Sequence, residues 1–152
     1  MKKFGLCILT LIGVISFSCS SDDNANNSNE TPTIIGKWKI TSIELNDEIS
    51  TLSECHLQQT MTFQENGDLI EYAVENEMVT PCTFSTETIK YSLEGDVLTF
   101  ISESEGTEEN PNLTINEVLK LDESTLVYKE LSQGGVSLSD NKQQIFTHVR
   151  ID

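Results

Sequence analysis

From residue 34 onward the apolar positions recur at every second residue in short runs. They are never sustained at helical spacing over ten or more positions. Met61 and Phe63 flank Thr62, and Ile89, Tyr91 and Leu93 flank Lys90 and Ser92. A period of two is that of a strand with one face in a core and one in water. Eight such runs stand out: Lys37–Leu45, Gln59–Gln64, Asp68–Val74, Thr86–Leu93, Asp96–Ser102, Asn112–Leu121, Thr125–Leu131 and Gln143–Arg150. Glu65-Asn66-Gly67-Asp68 and Glu94-Gly95-Asp96 separate two pairs of them, and Asn and Gly tolerate the positive φ of tight hairpin turns. Leu121-Asp122-Glu123-Ser124 is a third short connection. Consecutive strands joined this way form an antiparallel meander, and eight can close it without exposed edges. The pattern predicts an all-β fold over residues 34–152, a sandwich or a barrel.

The chain before residue 34 follows another logic. Lys2 and Lys3 precede an uncharged apolar run from Phe4 to Phe17, 14 residues long. A bilayer span needs about 20, so residues 1–18 read as a secretory signal peptide. Ser16-Phe17-Ser18-Cys19 follows, and it resembles the lipobox of bacterial lipoproteins. That resemblance implies cleavage before Cys19 and attachment to the membrane through acyl chains on this cysteine. Small residues at 16 and 18 also suit ordinary cleavage after Ser18. Residues 19–33 hold no aromatic and no aliphatic side chain larger than Ala25, so they read as a disordered acidic tether. The residues between Cys19 and Ile34 could reach roughly 46 Å extended and nearer 20 Å as a coil. Asp22 and Asp23, just after the cysteine, resemble the surface-export signal of Bacteroidota lipoproteins; a plain soluble linker would look the same. The expected location is the outer membrane, on the cell surface or otherwise on its periplasmic face.

Charge narrows the partners. The 152 residues carry 25 acidic and 9 basic side chains, a formal net charge of −16. A nucleic-acid partner needs a basic patch and is not expected. Anionic membrane surfaces would be repelled, so attachment would fall to the acyl chains.

Four cysteines are present; Cys7 leaves with the signal and Cys19 is assigned to the anchor. Cys55 and Cys82 remain, an even pair in an exported domain, and a disulfide between them is expected. The rival reading, a Cys55 thiolate activated by the adjacent His56, suffers because sequence neighbours on a strand face opposite ways. His56 and His148 are the only histidines, and no spacing of His or Cys suits zinc. No nucleophile elbow, zinc-protease motif or phosphate-binding glycine loop appears. The expectation is therefore a protein that is not an enzyme, with no catalytic residue, metal or cofactor. Glu103, Glu105, Glu108 and Glu109 fall in a segment, Ser102–Asn112, that reads as a solvated acidic loop. Its carboxylates could attract calcium but lack the spacing of a tight site. Gly134-Gly135 places a mobile connection within Ser132–Lys142.

Gly36-Lys37-Trp38 opens the first strand and resembles the Gly-x-Trp signature of lipocalins. A cysteine before the second strand, Phe-x-x-Asn-Gly at 63–67, a second cysteine and Tyr-Ser-Leu-Glu-Gly-Asp-x-Leu-Thr-Phe at 91–100 follow in order. Together they resemble the lipocalin-like domains of Bacteroidota lipoproteins over the whole of 34–152. The resemblance implies an eight-stranded antiparallel up-and-down barrel with a calyx at one end, and no agreed ligand. Trp38, Met61, Phe63, Tyr72, Tyr91, Phe100 and Tyr128 then either fill the interior as core or line a pocket for a small, mostly apolar ligand. The other class of function is a surface module with a filled barrel that contacts a protein partner. In lipocalins a basic residue of the last strand stacks on the Gly-x-Trp tryptophan. Arg150, the only arginine, is implied to do so on Trp38 and to close the barrel.

Overall fold

The structure, a computed structural model, describes residues 32–107 and 110–152, without the side chains of 103–111. Ten strands run in chain order: β1 (Gly36–Leu45), β2 (Glu48–Ile49), β3 (Thr60–Phe63), β4 (Asp68–Asn76), β5 (Thr83–Glu94), β6 (Val97–Thr107), β7 (Asn110–Leu121), β8 (Thr125–Gln133), β9 (Val136–Ser137) and β10 (Gln144–Arg150). Each of the eight long strands pairs antiparallel with the next. β10 then pairs with both β8 and β1, which closes an eight-stranded barrel. The two-residue strands β2 and β9 are hairpin extensions folded back on β1 and β8.

Turn chemistry sets these hairpins. Asn46 and Asp47 both take positive φ, 54° and 63°, and make a two-residue turn between β1 and β2. Gly134 and Gly135, at 59° and 74°, do the same between β8 and β9. Both pairs suit the mirror-image turn whose twist matches the strands it joins. The segment Ser132–Lys142 is thus more ordered than a mobile connection: it carries this hairpin and a 3-10 turn at Asp140–Lys142. Asp122 caps the β7–β8 turn by accepting hydrogen bonds from the backbone N–H groups of Ser124 and Thr125. Together with the Lys120 ammonium they hold its carboxyl far below the usual range.

Alternation places Trp38, Ile40, Met61, Phe63, Leu69, Leu98, Phe100, Leu126 and Tyr128 inside, and all nine are buried. Rings pack across strands: Phe63 on Tyr91 at 4.9 Å, and Phe100 on Tyr128 at 5.9 Å, both edge to face. The same register corrects two expectations. Tyr72 pairs with Thr60, one residue out of phase with the buried Met61, so it lies on the outer face, stacked on Phe84 at 4.6 Å. The acidic segment 102–112 is not a loop: β6 continues to Thr107 and β7 begins at Asn110, and these two residues pair. Glu103 and Glu105 sit on that strand extension; Glu108 and Glu109 lie outside the described residues.

Candidate functional site

The two ends of the barrel are built differently. At the end where β1 begins and β10 finishes, Trp38 is wholly buried and pairs with Arg150. The Arg150 guanidinium carbon stands 4.1 Å from the indole centroid. Its nitrogens donate to three carbonyls: Nε to Glu123 at 2.8 Å, Nη1 to Ile35 at 2.5 Å and Nη2 to Thr33 at 2.6 Å. The indole N–H donates to the Ile34 carbonyl at 2.7 Å. One planar cation thus ties the chain before β1, the turn before β8 and the end of β10 over one ring, a geometry lysine cannot reproduce. Gly36 is required beneath it. Its φ is 129°, and a Cβ there would lie 2.2 Å from Arg150 Nη1. Thr33, assigned by sequence to the tether, is therefore already held by the barrel.

Toward the opposite end the barrel interior holds two adjoining cavities. One, of about 440 Å³, is lined by Glu71, Glu87, Ile89, Phe100, Ser102, Asn112, Thr114, Gln133 and Gly134. A recess of about 170 Å³ shares Glu71 with it and adds Ile40, Met61, Tyr128, Phe146 and His148 among its walls. Such volumes fall at and below the lower range of small-molecule sites. Of the residues singled out by sequence, Phe100 lines the larger cavity and Met61 and Tyr128 the recess. Trp38, Phe63 and Tyr91 line neither and belong to the filled half. Tyr72 reaches the recess only from the outer face of β4.

The carboxylates were missed. Glu71 follows the buried Leu69 by two residues on β4 and faces inward, directly opposite Glu87 of β5. Glu130 follows the buried Tyr128 by two on β8 and shares its face with Asn116. Burial raises the Glu71 carboxyl above the usual range, and the Glu87 charge adds to it; burial alone raises Glu130. Among the described residues neither Glu71 nor Glu130 makes a side-chain hydrogen bond or an ion pair; the lysine ion pairs join Asp68, Asp122 and Glu117 to Lys90, Lys120 and Lys129. Desolvation, then the charges of Glu71 and Glu130, push the Tyr128 hydroxyl far up. His148 is 2% exposed, stacked on Tyr128 at 5.5 Å, and its Nδ1 has no hydrogen-bond partner. Burial lowers its pKa to about 4, so it is neutral at pH 7. Extending the alternation from Leu69, Ile89 and Tyr128 by two residues was the available signal for all three glutamates.

Beside the same end, Cys55 and Cys82 are disulfide-bonded with Cα atoms 6.3 Å apart, so Cys55 has no thiol for His56 to activate. His56 Nδ1 instead meets Ser53 Oγ at 2.8 Å and Glu77 Oε2 at 3.2 Å. A nucleophile and its orienting carboxylate must use opposite ring nitrogens, so this trio is not arranged for charge relay. Cys19 lies outside the described residues.

The sequence model of the lipocalin-like domain family matches residues 34–128. Among solved structures, the chain is similar to a lipocalin-like protein from Bacteroides uniformis, with a TM-score of 0.50 and 15% identity over 77% of this chain and 97% of that one. A protein from Bacteroides eggerthii, described as uncharacterized, gives a TM-score of 0.50 and 14% identity over 77% and 98%. Identities this low speak for the shared fold alone. No curated protein matches the chain.

Proposed function

We propose that this chain, which belongs to the lipocalin-like domain family, is a non-catalytic protein that binds a small ligand at the open end of its barrel. The observation that carries the reading is the asymmetry of the interior. Trp38, Phe63, Leu69, Leu98 and Leu126 fill one half, while the other keeps a cavity of about 440 Å³ with a recess beneath it. A barrel of eight strands has just enough interior for its own side chains, so an unfilled half supports a bound ligand. Apolar contact would come from Ile89, Phe100, Met61 and Phe146.

The address belongs to the same proposal. The apolar run 4–17 and Cys19 support a lipid anchor in the outer membrane, and Asp22 and Asp23 support display at the cell surface. Replacing Cys19 by Ala should move the protein from the detergent phase to the aqueous phase of a membrane extract; a wild type already in the aqueous phase would refute the anchor. Native mass spectrometry of the protein from its own host should show a co-purifying small molecule, and its mass should disappear in a Thr114→Trp variant that fills the cavity. A second reading, docking of a partner protein on the mouth, is favoured by the exposed side chains of Ile49, Met78 and Val136 on the connections at that end. It predicts binding that survives Thr114→Trp.

A further inference from the structure

We propose that the ligand taken by the open end carries a positively charged amine on an apolar body, with the amine held in the recess by Glu71, His148 and Tyr128. This rests on the binding reading above and narrows its ligand class. The recess and the cavity meet at Glu71, which lines both. Among the described residues, no lysine or arginine lines either one. A carboxylate opposite another on one face of a sheet is destabilising, and a cation bound beside one of them offsets the repulsion. The protein nonetheless keeps Glu71 opposite Glu87, with Glu130 charging the same interior.

A cluster of acids alone would mean little; the second observation is His148. It is almost completely buried, lines the recess, and leaves Nδ1 without a partner. Buried polar atoms are nearly always satisfied, and an orphan on a residue that lines a recess leaves a place for a water or a ligand group. Burial keeps this imidazole neutral at pH 7, so one of its two nitrogens is an acceptor. Among the described residues Tyr128 donates its hydroxyl to the Met61 sulfur, 3.7 Å away, which leaves oxygen lone pairs available. Carboxylate, imidazole and phenol oxygen together offer three acceptors to an ammonium's three donors. Phe146, stacked on Tyr128 at 5.2 Å, lines the same recess and gives it an apolar wall. A metal ion fits less well, because among the described residues no three His, Cys, Asp or Glu converge to hold one. The apolar body would run past Ile89 and Phe100 in the larger cavity.

The test uses three probes with one tail and different heads: octylamine, octanol and octanoate, each titrated at pH 7 into the full mature chain and followed by NMR. Octylamine should bind at least about tenfold tighter than octanol, the scale of one half-buried charged hydrogen bond, with octanoate weakest. Glu71→Gln should bring octylamine to the affinity of octanol. His148→Phe should weaken octylamine and leave octanol unchanged. Glu65→Gln, on the exposed β3–β4 turn, controls for the general negative charge and should change neither. Equal affinity of amine and alcohol, a preference for octanoate, or an amine preference that survives Glu71→Gln overturns the inference while leaving ligand binding intact. Absence of binding by all three overturns both.

Discussion

The closed end and the open end of this barrel use the same strands and opposite rules. At the closed end the polar groups of the seal are answered: the Arg150 donors reach three carbonyls and the indole N–H a fourth. Around them lie Phe63, Leu69, Leu98 and Leu126, all with essentially no exposure. At the open end the interior holds Glu71 and Glu130 without partners among the described residues, and an imidazole with an orphan nitrogen. Consistency of pattern and packing marks the half that specifies the fold, and opposed inward carboxylates mark the half in which we propose that a ligand binds. Substitutions at the two ends should therefore differ in sign, not only in size.

The largest effect is expected at the closed end. Trp38→Ala removes the biggest fully buried side chain and strands the Arg150 guanidinium, and should cost about 3–5 kcal/mol in urea unfolding. Arg150→Lys keeps the charge but loses the planar stack and all but one of the carbonyl contacts. It should cost about 2 kcal/mol, and a value near zero would mean the seal is ornamental.

At the open end the expected effects depend on pH. His148 has its pKa lowered to about 4, against 6.5 for the free side chain. The unfolded chain therefore takes up a proton first. The contribution of neutral His148 is fully present above pH 6.5 and fades as pH falls toward 4, by about 2 kcal/mol between pH 7 and pH 5. Glu71 works the other way, because its raised carboxyl binds protons more readily in the fold. His148→Phe, which keeps a ring on Tyr128, should flatten the acid side of the stability profile; an unchanged profile would assign it elsewhere. Glu71→Gln should raise stability at pH 7 by about 0.5 kcal/mol by removing the opposed charge, and the gain should vanish near pH 4. Loss of stability in that variant would mean Glu71 is a structural residue.

Why one half was legible and the other not follows from the period of a strand. Met61, Phe63, Ile89 and Tyr91 repeat at two-residue spacing in unambiguous apolar runs, and Gly36, Trp38 and Arg150 stand at the seam that closure demands. On β4 the run breaks: Leu69 is followed inside by Glu71, while the large apolar Tyr72 lies outside. Size and hydrophobicity favoured Tyr72, and an error of one residue flips the face. Glu87 and Glu130 are hidden the same way, as polar residues in phase with Ile89 and Tyr128. The acidic stretch after Ser102 has no aromatic and, up to its end, a single β-branched residue, Thr107, yet β6 runs on to Thr107, which pairs with Asn110.

The central claim is that ligand binding belongs to the acidic open half and that the Trp38 end is a permanent plug. Trp38 is the single tryptophan, so its indole N–H gives one resonance that reports on the plug alone. Saturating the protein with octylamine should move the amide signals of Glu71, Phe100 and His148 and leave the indole signal in place. A shifted indole with unmoved amides at Glu71 and His148 would contradict the account.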